Sequence, residues 1–196
     1  MIAELTGIIL AGGLSTRMGR DKASLPWDGT DLLHTALNVL APVCSQLIVV
    51  SNVERNILVP GVWVVHDLFR GCGPLGGIHA GISASRTEWN FVAACDMPCL
   101  NGQVVEYMAK NRKEYDVLVP FIANHYHPLH AMYHKRCLPR IRALLEQGNY
   151  RMTALFATLN VGLMEERELA LFDESYAMLS NLNSPTDIKN LLNNLE

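Results

Sequence analysis

Several things are missing from this chain of 196 residues, and each absence removes a class of protein. There is no C-x-x-C pair and the five cysteines are an odd number, which argues against a disulfide framework and suits a reducing compartment. Most of these thiols are expected to be small core residues. No segment approaches an uninterrupted apolar span, and the first apolar run begins almost at Met1, leaving no room for a charged n-region, an h-region and a cleavage site. A soluble, cytoplasmic protein with no membrane partner is expected. A formal net charge of −3 lacks the strongly basic face that nucleic acid demands, so nucleotide is favoured over nucleic acid as the partner. Repeats, low-complexity tracts and a convincing linker are absent too.

What is present is apolar content of 49%, enough for one sizeable core. Short apolar runs alternate with helical patterns. Ile8 to Leu10 are followed by Leu33, Ala36, Leu37 and Leu40 at helical spacing, then by Leu47 to Val50 and Val62 to Val65. Phe91 to Ala94 and Val117 to Val119 read as further strands, with Val104, Val105 and Met108 on an amphipathic helix between them. This alternation predicts an α/β fold of three layers, a mostly parallel Rossmann-like sheet with helices on both faces. The uninterrupted apolar strands suit burial on both sides. A helix through Leu138, Ile141, Leu144 and Leu145 should stop at Gly148, and Ser184-Pro185-Thr186-Asp187 has the pattern of a helix start. One domain, residues 1–196, is expected, with a nucleotide-facing half to about residue 100 and an acceptor-facing half from about 101.

The richest segment runs Leu10-Ala11-Gly12-Gly13-Leu14-Ser15-Thr16-Arg17-Met18-Gly19-Arg20-Asp21-Lys22, directly after the first apolar run. Small and hydroxyl residues let backbone N–H groups approach phosphate oxygens, while Arg17, Arg20 and Lys22 supply positive charge. It is not a Walker A loop, since five residues separate Gly13 from Gly19 and Arg20 follows. Nor does it have the G-x-G-x-x-G order of dinucleotide folds. In open α/β sheets ligands bind beyond the carboxyl ends of strands, and Gly12-Gly13, Ser51-Asn52, Asp67 and Cys95-Asp96 all follow predicted strands. Asp96 would place a hard oxygen at the cleft mouth, suited to a Mg²⁺ otherwise held by water and substrate phosphates; the alternative is a cap on the next helix.

The pattern L-A-G-G-x-S-x-R-M-G-x-D-K resembles the signature of nucleotidyltransferases that activate a phosphorylated compound with an NTP. Within them it is most similar to the molybdenum cofactor guanylyltransferase (MobA-like) family. Gly73-Pro74-Leu75-Gly76-Gly77, Cys95-Asp96-Met97-Pro98, His127-Pro128-Leu129-His130-Ala131 and Asn181-Leu182-Asn183-Ser184-Pro185 occur in that family's order, so the resemblance spans nearly the whole chain. It implies transfer of GMP from GTP to the phosphate of molybdopterin or Mo-molybdopterin, with release of pyrophosphate. It also implies Mg²⁺ carried by Asp96, and nucleotide contacts at Leu10, Ala11, Gly12, Gly13, Lys22, Asp67 and Gly76. Asn52, with Ser51 as its alternative, stands where the family often has asparagine. The catalytic set is Lys22, Arg17 and Asp96, and Asp21 is expected to organise the loop. The glycine-dense Gly71 to Gly77 is expected to form a turn against the base or a helix start facing ligand. On the acceptor side the candidates are His127, His130, Arg151, Asn181 and Asn183. The spacing of His125, His127, His130 and His134 fits no common zinc finger.

A phosphate monoester is already largely ionised at neutral pH, with a second pKa near about 6, so no general base is required. The expected work is positioning and charge neutralisation. A cytidylyltransferase for the same acceptor usually reads L-A-A-G at the loop, and the extra glycine here favours a purine. A non-catalytic GTP-binding delivery protein is the alternative of another class, and a transient handover contact with molybdoenzyme maturation proteins is compatible with catalysis.

Overall fold

The computed structural model describes residues 2–12, 21–55, 57, 59–182 and 187. The expected helix start at Ser184-Pro185 lies outside the described residues, as do Gly13, Arg17, Arg20 and Asn183.

The strands are β1 (Ile2–Leu10), β2 (Pro26–Trp27), β3 (Thr30–Asp31), β4 (Cys44–Val50), β5 (Val62–Val65), β6 (Trp89–Ala94), β7 (Val117–Ile122), β8 (His125–Tyr126), β9 (His130–His134) and β10 (Val161–Glu165). The α-helices are α1 (Leu32–Leu40), α2 (Gly73–Ala84), α3 (Gly102–Asn111), α4 (Leu138–Glu146), α5 (Met152–Phe156) and α6 (Glu166–Leu169). The central sheet has eight strands in the order β10-β7-β9-β6-β1-β4-β5, with β8 added on β7. Pairing is parallel for β6-β1-β4-β5 and for β10-β7, while β9 runs antiparallel between β6 and β7. The sheet is therefore mixed and mostly parallel, as the alternation of apolar runs predicts.

Period-two alternation in β1 sorts side chains between two cores. Leu5 and Ile9 join Leu33, Ala36, Leu37, Val104, Val105 and Met108, so α1 and α3 cover one face. Ile8 and Leu10 join Leu75, Ile78, Ile82, Ile141 and Leu145, so α2 and α4 cover the other. The close approach of α2 to β1 depends on Gly81, where an added Cβ would lie 2.5 Å from Ile8 Cγ2. Asp31 caps α1 by accepting from His34 N at 2.8 Å. The predicted stop of α4 is also present: Gly148 takes φ +70° just after the cap Gln147, and its N–H bonds the Leu145 carbonyl.

Burial on both faces does not extend to β5. It is an edge strand, with Trp63 40% and Val64 38% exposed, and the Arg86 guanidinium lies 4.1 Å from the Trp63 ring centroid. An all-apolar run of four residues does not distinguish an edge from a centre, because the distinction is made by what packs beside it. Among the described residues no helix is long and apolar enough to cross a membrane.

Candidate functional site

The carboxyl ends of the four parallel strands are stitched into one edge by main-chain bonds beyond the regular ladder. Ala11 N–H donates to the Val50 carbonyl at 2.9 Å, Ser51 N–H to Val65 at 3.0 Å, and Cys95 N–H to Leu10 at 3.1 Å. Leu10, Ala11, Ser51 and Cys95 thus form a common floor, with Gly12 exposed where the glycine-rich loop leaves it.

Lys22 and Asp96, 74 positions apart, meet above this floor: Lys22 Nζ donates to Asp96 Oδ2 at 2.8 Å. Lys22 sits in a short 3-10 turn, Lys22–Ser24, capped by Asp21, whose Oδ1 accepts from Ala23 N–H. Asp96 is only 8% exposed, and its second oxygen, Oδ1, is buried with no hydrogen-bond partner among the described residues. A buried carboxylate oxygen left bare is costly unless something charged completes it. The capping alternative for Asp96 does not hold, because Asn101 caps α3 by accepting from Gln103 N–H at 2.9 Å. A hard anionic oxygen, half of it committed to Lys22 and half open, fits a Mg²⁺ bound through one protein carboxylate and phosphate oxygens.

The chain's last described stretch reaches the same place. Leu182 N–H donates to the Asp96 carbonyl at 2.8 Å, and the Leu182 side chain is buried with Leu25, Leu32 and Ala177. This brings the exposed Asn181 beside Asp96, while Asn183 lies outside the described residues.

Asp67, Asn52 and Gly76 form a second group, at the ends of β4 and β5. Asn52 Oδ1 accepts from Asp67 N–H at 3.0 Å, and Asp67 Oδ1 accepts from Phe69 N–H at 3.0 Å. Burial pushes the Asp67 carboxyl above its ordinary value, against the lowering effect of the Phe69 bond and the nearby His79. Of the two candidates at this position, Ser51 is buried and its hydroxyl is engaged with Val53 and Arg55, whereas Asn52 is exposed.

Of the two expectations for the glycine-dense segment, the helix start is the one present: Gly73 to Gly77 form the first turn and more of α2, with Pro74 in that turn, where its missing N–H costs nothing. Gly76 is buried in the helix, facing Asp67. A Cβ there would lie 2.7 Å from the Phe69 carbonyl oxygen and 2.9 and 3.0 Å from the two Asp67 carboxylate oxygens. Gly76→Ala should therefore cost about 1–3 kcal/mol of stability and turn Asp67 out of place, and with Asp67 as the nucleotide contact that the resemblance implies, the expected kinetic result is a raised KM for nucleotide. Denaturant melts and steady-state kinetics check this; a variant matching the parent in both would remove Gly76 as the backing of Asp67.

The acceptor-side histidines separate. His127 is half-buried, its backbone N–H bonded to Pro120, and burial lowers its pKa. His130 is corrected from a cleft-facing group to a core one. It is 0% exposed, its ring lies edge-on to Phe91 at 5.1 Å, and both ring nitrogens lack partners among the described residues. The physical reason is its place on β9 between two strands, where the side chain enters the α1/α3 face. The loop before it still borders the site, since Ala94 N–H donates to the Leu129 carbonyl at 3.2 Å. Arg151 is exposed at the start of α5, held at its N–H by Asn149.

One residue that sequence reading missed is Arg55. It donates to Ser51 Oγ at 2.9 Å, to the Ala11 carbonyl at 2.9 Å, and to the two Asp21 oxygens at 2.6 and 2.9 Å. This pairing holds the Asp21 carboxyl below its ordinary value. The only signal available was its position just past the end of β4, where fold topology gathers ligand-facing residues.

A mostly parallel sheet with a glycine-rich basic loop after its first strand, and a lysine–aspartate pair where that loop meets a central strand, defines a nucleotidyltransferase. The chain belongs to the MobA-like NTP transferase family, whose domain model matches residues 7–161. A probable molybdenum cofactor guanylyltransferase from Pelotomaculum thermopropionicum is 35% identical over 185 residues, covering 94% of this chain and 90% of the relative. A molybdenum cofactor guanylyltransferase from Vibrio parahaemolyticus is 32% identical, covering 94% and 93%. Among solved structures, molybdopterin-guanine dinucleotide biosynthesis protein A from Archaeoglobus fulgidus superposes with a TM-score of 0.81 at 26% identity, over 95% of this chain and 96% of that one.

Proposed function

We propose that this protein transfers GMP from GTP to the terminal phosphate of molybdopterin or its molybdenum-loaded form, making molybdopterin guanine dinucleotide and pyrophosphate. The observation that carries the reading is the Lys22–Asp96 pair with its bare Oδ1, set at the carboxyl ends of β1 and β6. The relatives named as guanylyltransferases supply the nucleotide and the acceptor.

Chemically, the acceptor phosphate oxygen forms a bond to the α-phosphorus of GTP as the bond to the bridging pyrophosphate oxygen breaks. The nucleophile is ionised at neutral pH, so the chain's residues orient and neutralise charge and need not remove a proton. Lys22 places a cation against the phosphates, and Arg17 is assigned the same task from its place in the loop. Gly12 and Gly13 orient the triphosphate, while Asp67, Asn52 and the Gly76 backing hold the nucleoside side. Asp96 would hold Mg²⁺, which when bound supplies charge neutralisation at the phosphate oxygens. His127, Arg151, Asn181 and Asn183 are assigned to the acceptor. The five unpaired cysteines, four of them buried, suit work in the reducing cytoplasm.

Turnover of molybdopterin with GTP, CTP or ATP in Mg²⁺, read as pyrophosphate release and product mass, tests the reading. The expected product is the guanine dinucleotide, formed preferentially from GTP. Preference for CTP would assign the protein to cytidylyl transfer, and GTP binding without transfer from any nucleotide would favour a delivery role.

A further inference from the structure

We propose that Arg55 is a positioning residue of the transfer reaction, fixing Lys22 against Asp96 by clamping Asp21 to the carboxyl ends of β1 and β4. The inference rests on the reading of Lys22 as the cation that meets the nucleotide phosphates.

The argument is geometric. The Arg55 guanidinium is almost wholly enclosed, its side chain 8% exposed, and it makes four donor bonds to three different segments. Two of them, to Ala11 O and Ser51 Oγ, anchor it on strand ends that belong to the rigid sheet. The other two form a fork on both oxygens of Asp21, a geometry that fixes direction as well as distance. Asp21 in turn caps the turn bearing Lys22, bonding Ala23 N–H and Ser24 Oγ. Asp21 is 39% exposed at its side chain and follows the loop, so nothing in the regular sheet holds it. The route from sheet to Lys22 Nζ therefore runs Ser51 and Ala11, Arg55, Asp21, Lys22, and ends at the Asp96 carboxylate. The bonds of Arg55 along it all go to protein acceptors, so its part is assigned to positioning.

A double-mutant cycle between Arg55→Met and Lys22→Ala tests this, read on kcat/KM and on nucleotide affinity, with thermal melts as a folding control. Arg55→Met alone is expected to lose about 10²-fold in kcat/KM, the size of effect that misplacing a reacting group by an ångström produces. In the Lys22→Ala background the same change is expected to cost less than about threefold, because the group it positions is gone. A merely structural Arg55 would instead multiply its loss onto that of Lys22, and that outcome overturns the proposal, as does single-variant activity within threefold of the parent. Should Arg55→Met yield no folded protein, Asp21→Asn opens the same fork from its exposed end and is judged by the same cycle. Failure of the guanylyl reading is separately visible as a parent protein that transfers no GMP. The cycle then runs on affinity for the NTP the parent binds most tightly.

Discussion

Asp96→Asn should leave the fold intact and reduce kcat/KM for guanylyl transfer by on the order of 10³-fold. The amide oxygen can still accept from Lys22 Nζ, as Oδ2 does now at 2.8 Å, so the link between the loop and β6 survives. What disappears is the negative charge at the bare Oδ1, which neither Lys22 nor any other described side chain satisfies. If that oxygen is the protein's hold on a divalent cation, its neutral replacement removes the cation's anchor while preserving shape. The measurement is turnover across a Mg²⁺ titration together with a thermal melt. A variant whose activity is restored only at raised Mg²⁺, or lost with its melting unchanged, fits the assignment. Turnover within a few-fold of the parent at ordinary Mg²⁺ would remove Asp96 from the chemistry.

The second large effect concerns acid. His130 is enclosed beside Phe91, and burial, together with the nearby His127, brings its pKa down to about 3. Since the unfolded imidazole titrates near 6.5, the unfolded chain takes up this proton before the folded one does. The stability from keeping His130 neutral is thus fully present above about pH 6.5 and is lost as pH falls toward 3, at up to about 1.4 kcal/mol per pH unit. Burial lowers His79, His127 and His134 as well, so they add to the loss in the same direction. Asp67, raised by burial, opposes it. Substituting phenylalanine at this position, His130→Phe, isolates the term. Between pH 7 and pH 5 the parent should lose about 2 kcal/mol more unfolding free energy than the variant. At pH 7 the variant should be no less stable, because two nitrogens without partners among the described residues leave the core. Parallel stability curves for the two proteins over that range would show that His130 is not the titrating group.

The sheet and its helices were legible because periodicity reports burial directly: Leu33, Ala36, Leu37 and Leu40 do line one face of α1. The position of Asp96 was legible for a different reason, a single carboxylate just beyond the apolar run Phe91 to Ala94. Three features were not legible, each because a partner distant in sequence decides it. Gly73 to Gly77 have a composition that leaves turn and helix start both open, and packing of α2 on β1 and Asp67 decides for the helix. His130 sits in a polar-looking stretch, and only the insertion of β9 between β6 and β7 encloses it. Arg55 has no local pattern at all, since its meaning lies in acceptors from residues 11, 21 and 51 that converge through the fold.

The strand order carries a further consequence for how the molecule comes into being on the ribosome. β6, which bears Asp96 at its end, acquires its second neighbour only when β9 has been made, and β9 emerges after β7. The Asp96 carbonyl then waits for Leu182, near the end of the chain. Synthesis proceeds from the N-terminus, so a nascent chain can hold Asp96 long before the elements that enclose it exist. Competence for chemistry is therefore a late event in the protein's birth. Fragments ending before β9 should be sheets with β6 as an open edge, prone to association, in place of slow enzymes.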